Sequence, residues 1–392
     1  IGSSHLAQGL VVTEGLCAVI MRRRPLLPFV AWVLSYGSCT FRACAQKIPA
    51  IIDTDIGTFI DDSFALALAL QMPELDIRLI VTASHDTVGR ARVAAKHLAR
   101  VGADHIPLGI GVATDNQTGP LFSWAADFDL SGYAGGVYTD GVKAMQEAID
   151  ACNGTPVALI ELGPHTNVRA LLDRFPHVQQ KVRVTVMGGS VVPGIRLPWG
   201  PVTPVNTTNE KEDPLSAQAL VHAQWADPPR FASVETTIQV AIKGALWQQL
   251  RQSKKPAVQV LLECYVHWWN ESRTGSWITT GEAHSLDPTR ESAILWDAEA
   301  VHLAATTQWL TLTELNVDFD DWGHTVVSSD NSSSGRRAWF ALNWTDQGLG
   351  PNLDGGRDSF LQHMTSLLLA SPSLSPAGFG SVPTPSGEVV HV

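Results

Sequence analysis

From residue 46 onward, short apolar runs alternate with longer segments whose apolar residues recur at helical spacing. Ile48–Ile52 predicts a buried strand and Asp62–Gln71 a helix. Asp76–Thr82 predicts a strand, Arg90–Val101 a helix, and Ile106–Ile110 a short strand. Gly141–Cys152 predicts a helix, Val157–Leu162 a strand, Asn167–Phe175 a helix, and Lys181–Met187 a strand running into Gly188-Gly189. Pro214–Ala223 then predicts a helix and Phe231–Thr236 a further strand. Strand and helix in alternation argue for an α/β fold with a mostly parallel central sheet and helices on both faces. In such sheets, loops at the carboxyl ends of the strands build the site.

Val240–Ala305 reads as mainly helical and rich in Trp, including Trp268, Trp269 and Trp296. Aromatics at helical spacing are expected in a core before they are expected as a substrate platform. Residues 328–336, SSDNSSSGR, read as an exposed loop. The Pro/Ser/Gly-rich segment from Ser371 reads as disordered. No internal repeat or heptad run is visible.

The formal net charge of −11 over 392 residues, with no basic patch beyond Arg22–Arg24, excludes nucleic acid as an expected partner. Met21 and those arginines precede an apolar run, Pro25–Tyr36, and then Ala43-Cys44-Ala45. A basic start, a short apolar run and a small-x-small site resemble a secretory signal peptide cleaved after Ala45. A membrane anchor is the alternative, but the run falls short of the roughly 20 residues that a span needs. The expected organisation is an upstream segment and signal peptide over 1–45, one domain over 46–370, and a disordered tail over 371–392. No membrane association is expected after cleavage.

Six asparagines, Asn116, Asn153, Asn206, Asn270, Asn331 and Asn343, head N-x-Ser/Thr triplets. Chance gives roughly one or two, so a secreted glycoprotein is expected. After residue 45 only Cys152 and Cys264 remain, enough for at most one disulfide or a pair of free thiols. No Cys-x-x-Cys pair exists, which argues against a zinc site of that type and against a thiol redox motif.

The densest chemistry lies in residues 51–62, IIDTDIGTFIDD. Asp53, Asp55, Asp61 and Asp62 crowd into ten residues after an apolar strand, and Gly57 allows a sharp turn between them. Asp61 and Asp62 open the next helix, where the helix dipole tolerates negative charge, and one or two of the four could be simple caps. Carboxylates packed this closely repel one another unless a cation neutralises them, and hard oxygen donors favour Ca²⁺ or Mg²⁺ over zinc.

The run DTDIGTFIDDSFALALAL resembles the signature of the inosine–uridine-preferring nucleoside hydrolases, in its longer-loop form DTDIGTDIDD, with Phe59 in place of an Asp. Four further segments follow in the family's order. IELGPHTN at Ile160–Asn167 resembles its GPLTN loop, and MGGS at Met187–Ser190 its MGG turn. NTTNEKEDP at Asn206–Pro214 resembles AEFN-x-x-x-DP, and LWDAEAV at Leu295–Val301 resembles HD-x-x-A-V. The likeness covers about residues 48–325, and more weakly reaches Leu367.

The resemblance implies a Rossmann-like nucleoside hydrolase fold. It also implies a calcium ion at the pocket floor, held by Asp55, Asp62, the main-chain carbonyl of Leu162 and Asp297. Asp53 would brace these ligands. Asp55 would orient and deprotonate the attacking water, while Asp61 and Asn209 would hold ribose hydroxyls alongside Asp297. The implied activity is hydrolysis of the N-glycosidic bond of a nucleoside through an oxocarbenium-like transition state, giving free base and ribose in purine or pyrimidine salvage. A homodimer or homotetramer is the implied assembly.

Three positions depart from the family pattern. Trp296 replaces the His that many members use to protonate the leaving base. Thr207 replaces a Glu that contacts the ribose 5′-hydroxyl. His85-Asp86 stands where Gly-Asn is usual. His85 and His165 are candidate replacement acids, each against a structural alternative. A glycan on Asn206 would block the substrate segment, so that triplet is expected to stay unmodified.

A non-catalytic ribose- or nucleoside-binding protein on the same fold is the competing reading. A haloacid-dehalogenase-type phosphatase is a third, from Asp53-Thr54-Asp55 after a buried strand, but position 57 is Gly where Thr or Val is wanted.

Overall fold

The computed structural model describes residues 46–198, 200–328, 336–345 and 355–370. The expected signal peptide, the 371–392 tail, Asn331 and most of the 328–336 loop lie outside the described residues. Among these residues no helix is long and apolar enough to cross a membrane.

Ten strands form one sheet: β1 (Ile48–Thr54), β2 (Leu75–Thr82), β3 (Leu108–Ile110), β4 (Val137–Tyr138), β5 (Val157–Glu161), β6 (Val182–Met187), β7 (Arg230–Ala232), β8 (Leu310–Phe319), β9 (Thr325–Val327) and β10 (Arg337–Trp344). Their order is β4-β3-β2-β1-β5-β6-β7-β10-β8-β9. The pairs from β4 to β10 are parallel; β10–β8 and β8–β9 are antiparallel. The mostly parallel α/β expectation holds, with an antiparallel edge that the chain pattern did not predict.

Successive strand residues point to opposite faces, and the two faces feed separate cores. Ala50, Ile52, Ala158 and Ile160 face one core; Ile51, Val157 and Leu159 face the other. Burial on both sides explains why these strands read as continuous apolar runs. The helix Asp61–Gln71 is likewise buried all round, from Asp61 to Ala69. Its Phe64, Leu66 and Leu68 are at most 2% exposed, and burying each such side chain contributes about 1.5–3 kcal/mol.

Phe231–Thr236 does not continue as a strand. β7 stops at Ala232, and Val234–Thr237 forms a helical turn in which the amides of Thr236 and Thr237 donate to the Ser233 carbonyl. Trp247 and Trp268 are fully buried core residues, as expected of aromatics at helical spacing. Cys152 and Cys264 are both unbridged.

The chain runs from β1 outward to β2, β3 and β4, then returns to place β5 on the other side of β1. The carboxyl ends of β1 and β5 therefore border a topological switch point, where open α/β sheets bind their ligands.

Candidate active site

A cavity of about 550 Å³ opens at that edge. The loop after β1 supplies Asp55, Phe59, Asp61 and Asp62. The ends of β5 and β6 supply Leu162 and Met187. Asn206 to Asn209, Glu282, Trp296 and Asp297 line it as well. Every residue predicted to bind metal or substrate thus lines one space.

Gly57 makes the turn with φ at +117°, a conformation that favours glycine. The indole N–H of Trp268 donates to the Thr58 carbonyl at 3.0 Å and secures the same loop from the core side. Thr54 Oγ1 donates to Asp62 Oδ1. The fully buried Arg90 donates to the carbonyls of Ser84 (2.9 Å) and Ile56 (3.2 Å), and its guanidinium lies 3.9 Å from Asp55 Oδ2.

The carboxylates of Asp61, Asp62 and Asp297 converge, each offering an oxygen within 4.8 Å of the others. All three are buried, and Asp61 Oδ1 has no hydrogen-bond partner. Burial, reinforced by the neighbouring aspartates, holds each of their carboxyls well above the ordinary range. Burial also pushes Asp55 up to about 6, with Arg90 opposing. Such crowding of hard, under-partnered oxygens fits a divalent cation such as calcium. The convergent triad contains Asp61, expected as a ribose contact, while Asp55 borders the same cavity.

Asn209 is placed by two carbonyls. Its Nδ2 donates to Leu162 O (2.7 Å) and Met187 O (3.0 Å), at the ends of adjacent strands. Both donors of the amide are used, which leaves Oδ1 as an acceptor. The Leu162 carbonyl keeps a second lone pair for another ligand.

Asp53 sits beneath this layer, completely buried, and accepts from Asn167 Nδ2 at 2.9 Å. Asn167 also donates to Thr82 O and accepts from Val112 N–H, so it ties β1 to β2 and to the loop after β3. Burial first, and Glu161 second, raise the Asp53 carboxyl strongly. Glu161, His165 and Glu210 form a sealed row, with imidazole-to-carboxylate distances of 3.7 Å on both sides. Burial opposes charge on His165, but the two glutamates outweigh it and raise the imidazole to about 9. Gly188 is required there, because a Cβ would come within 1.9 Å of Glu210 Oε1.

Neither candidate histidine borders the cavity. His165 is enclosed in that row. His85 pairs through Nδ1 with Asp115 at 2.9 Å and through Nε2 with Glu212 at 3.4 Å. The left-handed backbone near β2 falls on Ser84 (φ 64°) and His85 (φ 53°). Glycine adopts that conformation most readily, which gives a physical reason for Gly at position 85; Asp86 has φ −79° and instead caps the helix Thr87–Val101 by accepting from Gly89 N–H.

Glu282 was not read from the sequence. It lines the cavity from the helix Thr280–Ser285 and is 7% exposed. Its Oε1 accepts from Ile294 N–H at 3.2 Å. Burial pushes its carboxyl up to about 7, against the pull of that N–H. A lone Glu among small and polar residues carries no sequence signal. Thr54 and Asn167, by contrast, lie inside the motifs already noted.

The family profile described as "Inosine-uridine preferring nucleoside hydrolase" matches residues 50–348. The non-specific ribonucleoside hydrolase RihC of Shigella dysenteriae is 34% identical over 155 residues, 37% of this chain and 50% of that protein. The pyrimidine-specific ribonucleoside hydrolase RihA of Citrobacter koseri is 25% identical over 289 residues, 71% of this chain and 83% of that protein. The chain thus spans about half the length of the first of these relatives. Among solved structures, a plant nucleoside hydrolase superposes with a TM-score of 0.63 at 19% identity, covering 83% of this chain and all of that one. The purine-preferring ribonucleoside hydrolase from Gardnerella vaginalis gives 0.60 at 18% identity, covering 82% and 99%. These two likenesses concern the fold.

Proposed function

The chain belongs to the inosine-uridine preferring nucleoside hydrolase family, and from that premise we propose that it hydrolyses the N-glycosidic bond of ribonucleosides to free base and ribose. The observation that carries the proposal is the buried convergence of Asp61, Asp62 and Asp297 at the floor of a cavity of nucleoside size.

The donor set fits calcium, with Asp55, Asp62, Asp297 and the Leu162 carbonyl as its holders and Asp61 close beside them. When bound, such an ion would polarise a water and the ribose diol. The chain's own groups do the rest. Asn209 Oδ1 accepts from a ribose hydroxyl and Asp61 from another. Asp55, whose carboxyl is lifted toward neutrality, takes the proton of the attacking water. The surrounding carboxylates stabilise positive charge as it builds on the ribose.

Export as a glycoprotein belongs to the same reading. It is supported by the signal-like segment ending at Ala45, and by the exposure of Asn116, Asn153, Asn270 and Asn343. A homodimer or homotetramer is the proposed assembly, tested by light scattering of the purified chain.

The deciding experiment measures ribose release from purine and pyrimidine nucleosides with calcium present, comparing the native chain with Asp55→Ala. Release by the native chain and its loss in the variant are expected. Activity retained by Asp55→Ala would overturn the site.

One observation favours a second reading, a non-catalytic ribose binder: Trp296, Thr207 and Phe59 border the cavity where relatives carry titratable groups. Tight nucleoside binding by calorimetry without turnover would select it.

A further inference from the structure

A purine or pyrimidine anion is a poor leaving group, so breaking its bond to C1′ calls for a proton at the base. Trp296 carries an indole N–H, a hydrogen-bond donor with no titratable proton. The histidines near the cavity are committed elsewhere: His85 to Asp115 and Glu212, His165 to Glu161 and Glu210.

Among the described residues, six titratable side chains line the cavity: Asp55, Asp61, Asp62, Lys211, Glu282 and Asp297. The four aspartates serve the water, the ribose and the cation. Lys211 is exposed to solvent. Glu282 is the one enclosed group without a task.

Its position suits the base end. The Ile294 N–H that binds Glu282 Oε1 lies two residues before Trp296, which ties the carboxyl to the segment holding the replaced acid position. Oε2 has no partner among the described residues, and the side chain faces the cavity. We infer that Glu282 is the acid of this site, its Oε2 hydroxyl protonating the departing base as the C1′–N bond breaks. The inference rests on the hydrolase reading.

Burial keeps the proton in place. Asp61, from the helix Asp61–Gln71, is a like-charged neighbour, and Tyr265, from the helix Pro256–Thr274, packs nearby with its hydroxyl donated to Glu291 O. Burial holds the carboxyl up at about 7, against the pull of the Ile294 N–H. The reaction balances. The electron pair of the C1′–N bond leaves with the base, which gains the Glu282 proton. Water oxygen bonds to C1′, and its proton passes to Asp55. Solvent then returns a proton to Glu282 and removes one from Asp55.

A substrate whose leaving group needs no proton separates this role from a structural one. The test compares native protein, Glu282→Gln and Glu282→Asp on inosine and on p-nitrophenyl riboside, with calcium present and melting curves recorded for each. For Glu282→Gln the expected kcat/KM loss on inosine is on the order of 100-fold or more, with the aryl riboside changed only a few-fold. Glu282→Asp is expected to recover part of the inosine activity. The native inosine profile should fall above pH about 7, a limb missing from the aryl riboside profile. Equal losses on both substrates, or no loss on either, would overturn the assignment. Failure of the native chain to cleave either would instead remove the hydrolase reading beneath it.

Discussion

Thr54 Oγ1 donates to Asp62 Oδ1 across eight residues, fastening the last residue of β1 to the first turn of the following helix. The bond fixes the orientation of one carboxylate in the acidic group and leaves its other oxygen for a cation. Outer partners of this kind commonly contribute 10- to 100-fold to metal affinity. Thr54→Val keeps the shape and removes the donor. Its calcium affinity should fall by about that factor in a calorimetric titration, and an unchanged affinity would show that the hydroxyl does not orient the carboxylate.

Calcium should also stabilise the fold. Mutual repulsion among Asp61, Asp62 and Asp297 is relieved by a bound cation. At 100 times the dissociation constant, binding contributes about 2.7 kcal/mol, equivalent to a melting shift of several degrees. Chelation should reverse the shift. In Asp297→Asn it should shrink sharply; a full shift there would place the ion elsewhere.

His97 and His302 set an acid limit. Burial lowers both imidazoles from 6.5 to about 4 in the fold. Their neutral forms therefore favour the native state, fully above pH 6.5, and that stability is lost as pH falls toward 4. Each contributes on the order of 3 kcal/mol. The buried aspartates have the opposite sign, since their raised carboxyls take up protons more readily when folded. With calcium holding them ionised, urea midpoints should drop steeply between pH 6.5 and 4. His97→Leu should flatten that slope; an identical slope would sink the explanation.

His85→Asn should preserve turnover within a few-fold. Asparagine tolerates the left-handed backbone at this position, and the imidazole serves Asp115 and Glu212 outside the cavity. A large loss in kcat with an altered pH profile would return His85 to the chemistry.

Asn206 should carry no glycan when the chain is made in a eukaryotic secretory host. Its side chain is half-buried beside the cavity and donates to the Trp322 carbonyl at 3.0 Å. Asn116, Asn153 and Asn270 are exposed and should be modified. Peptide mapping of the secreted protein checks both, and a glycan at Asn206 would contradict the placing of this segment on the substrate cavity.

The acidic loop was legible because its chemistry is local: one strand, one glycine turn and one helix start within a dozen residues. Leu162, Asn209 and Asp297 are distant in sequence and were reachable only through ordered motifs. Glu282 had neither aid, since its value comes from burial and from Ile294 of a separate segment. β8 escaped for another reason. Its burial is irregular along ten residues, with several exposed positions, so neither alternation nor a continuous apolar run marks it. At Phe231–Thr236 a run of β-favouring residues was overridden by the turn at Ser233.

The sheet order places β10, the last strand in chain order among the described residues, between β7 and β8. A nascent chain that has emerged only to residue 336 therefore holds a gap in the middle of its sheet. β7 offers an open edge on one side, and β8 with β9 has nothing to join. Such edges recruit other strands, so the protein would depend on assistance until β10 is released, and truncations before residue 337 should aggregate rather than yield a smaller working enzyme.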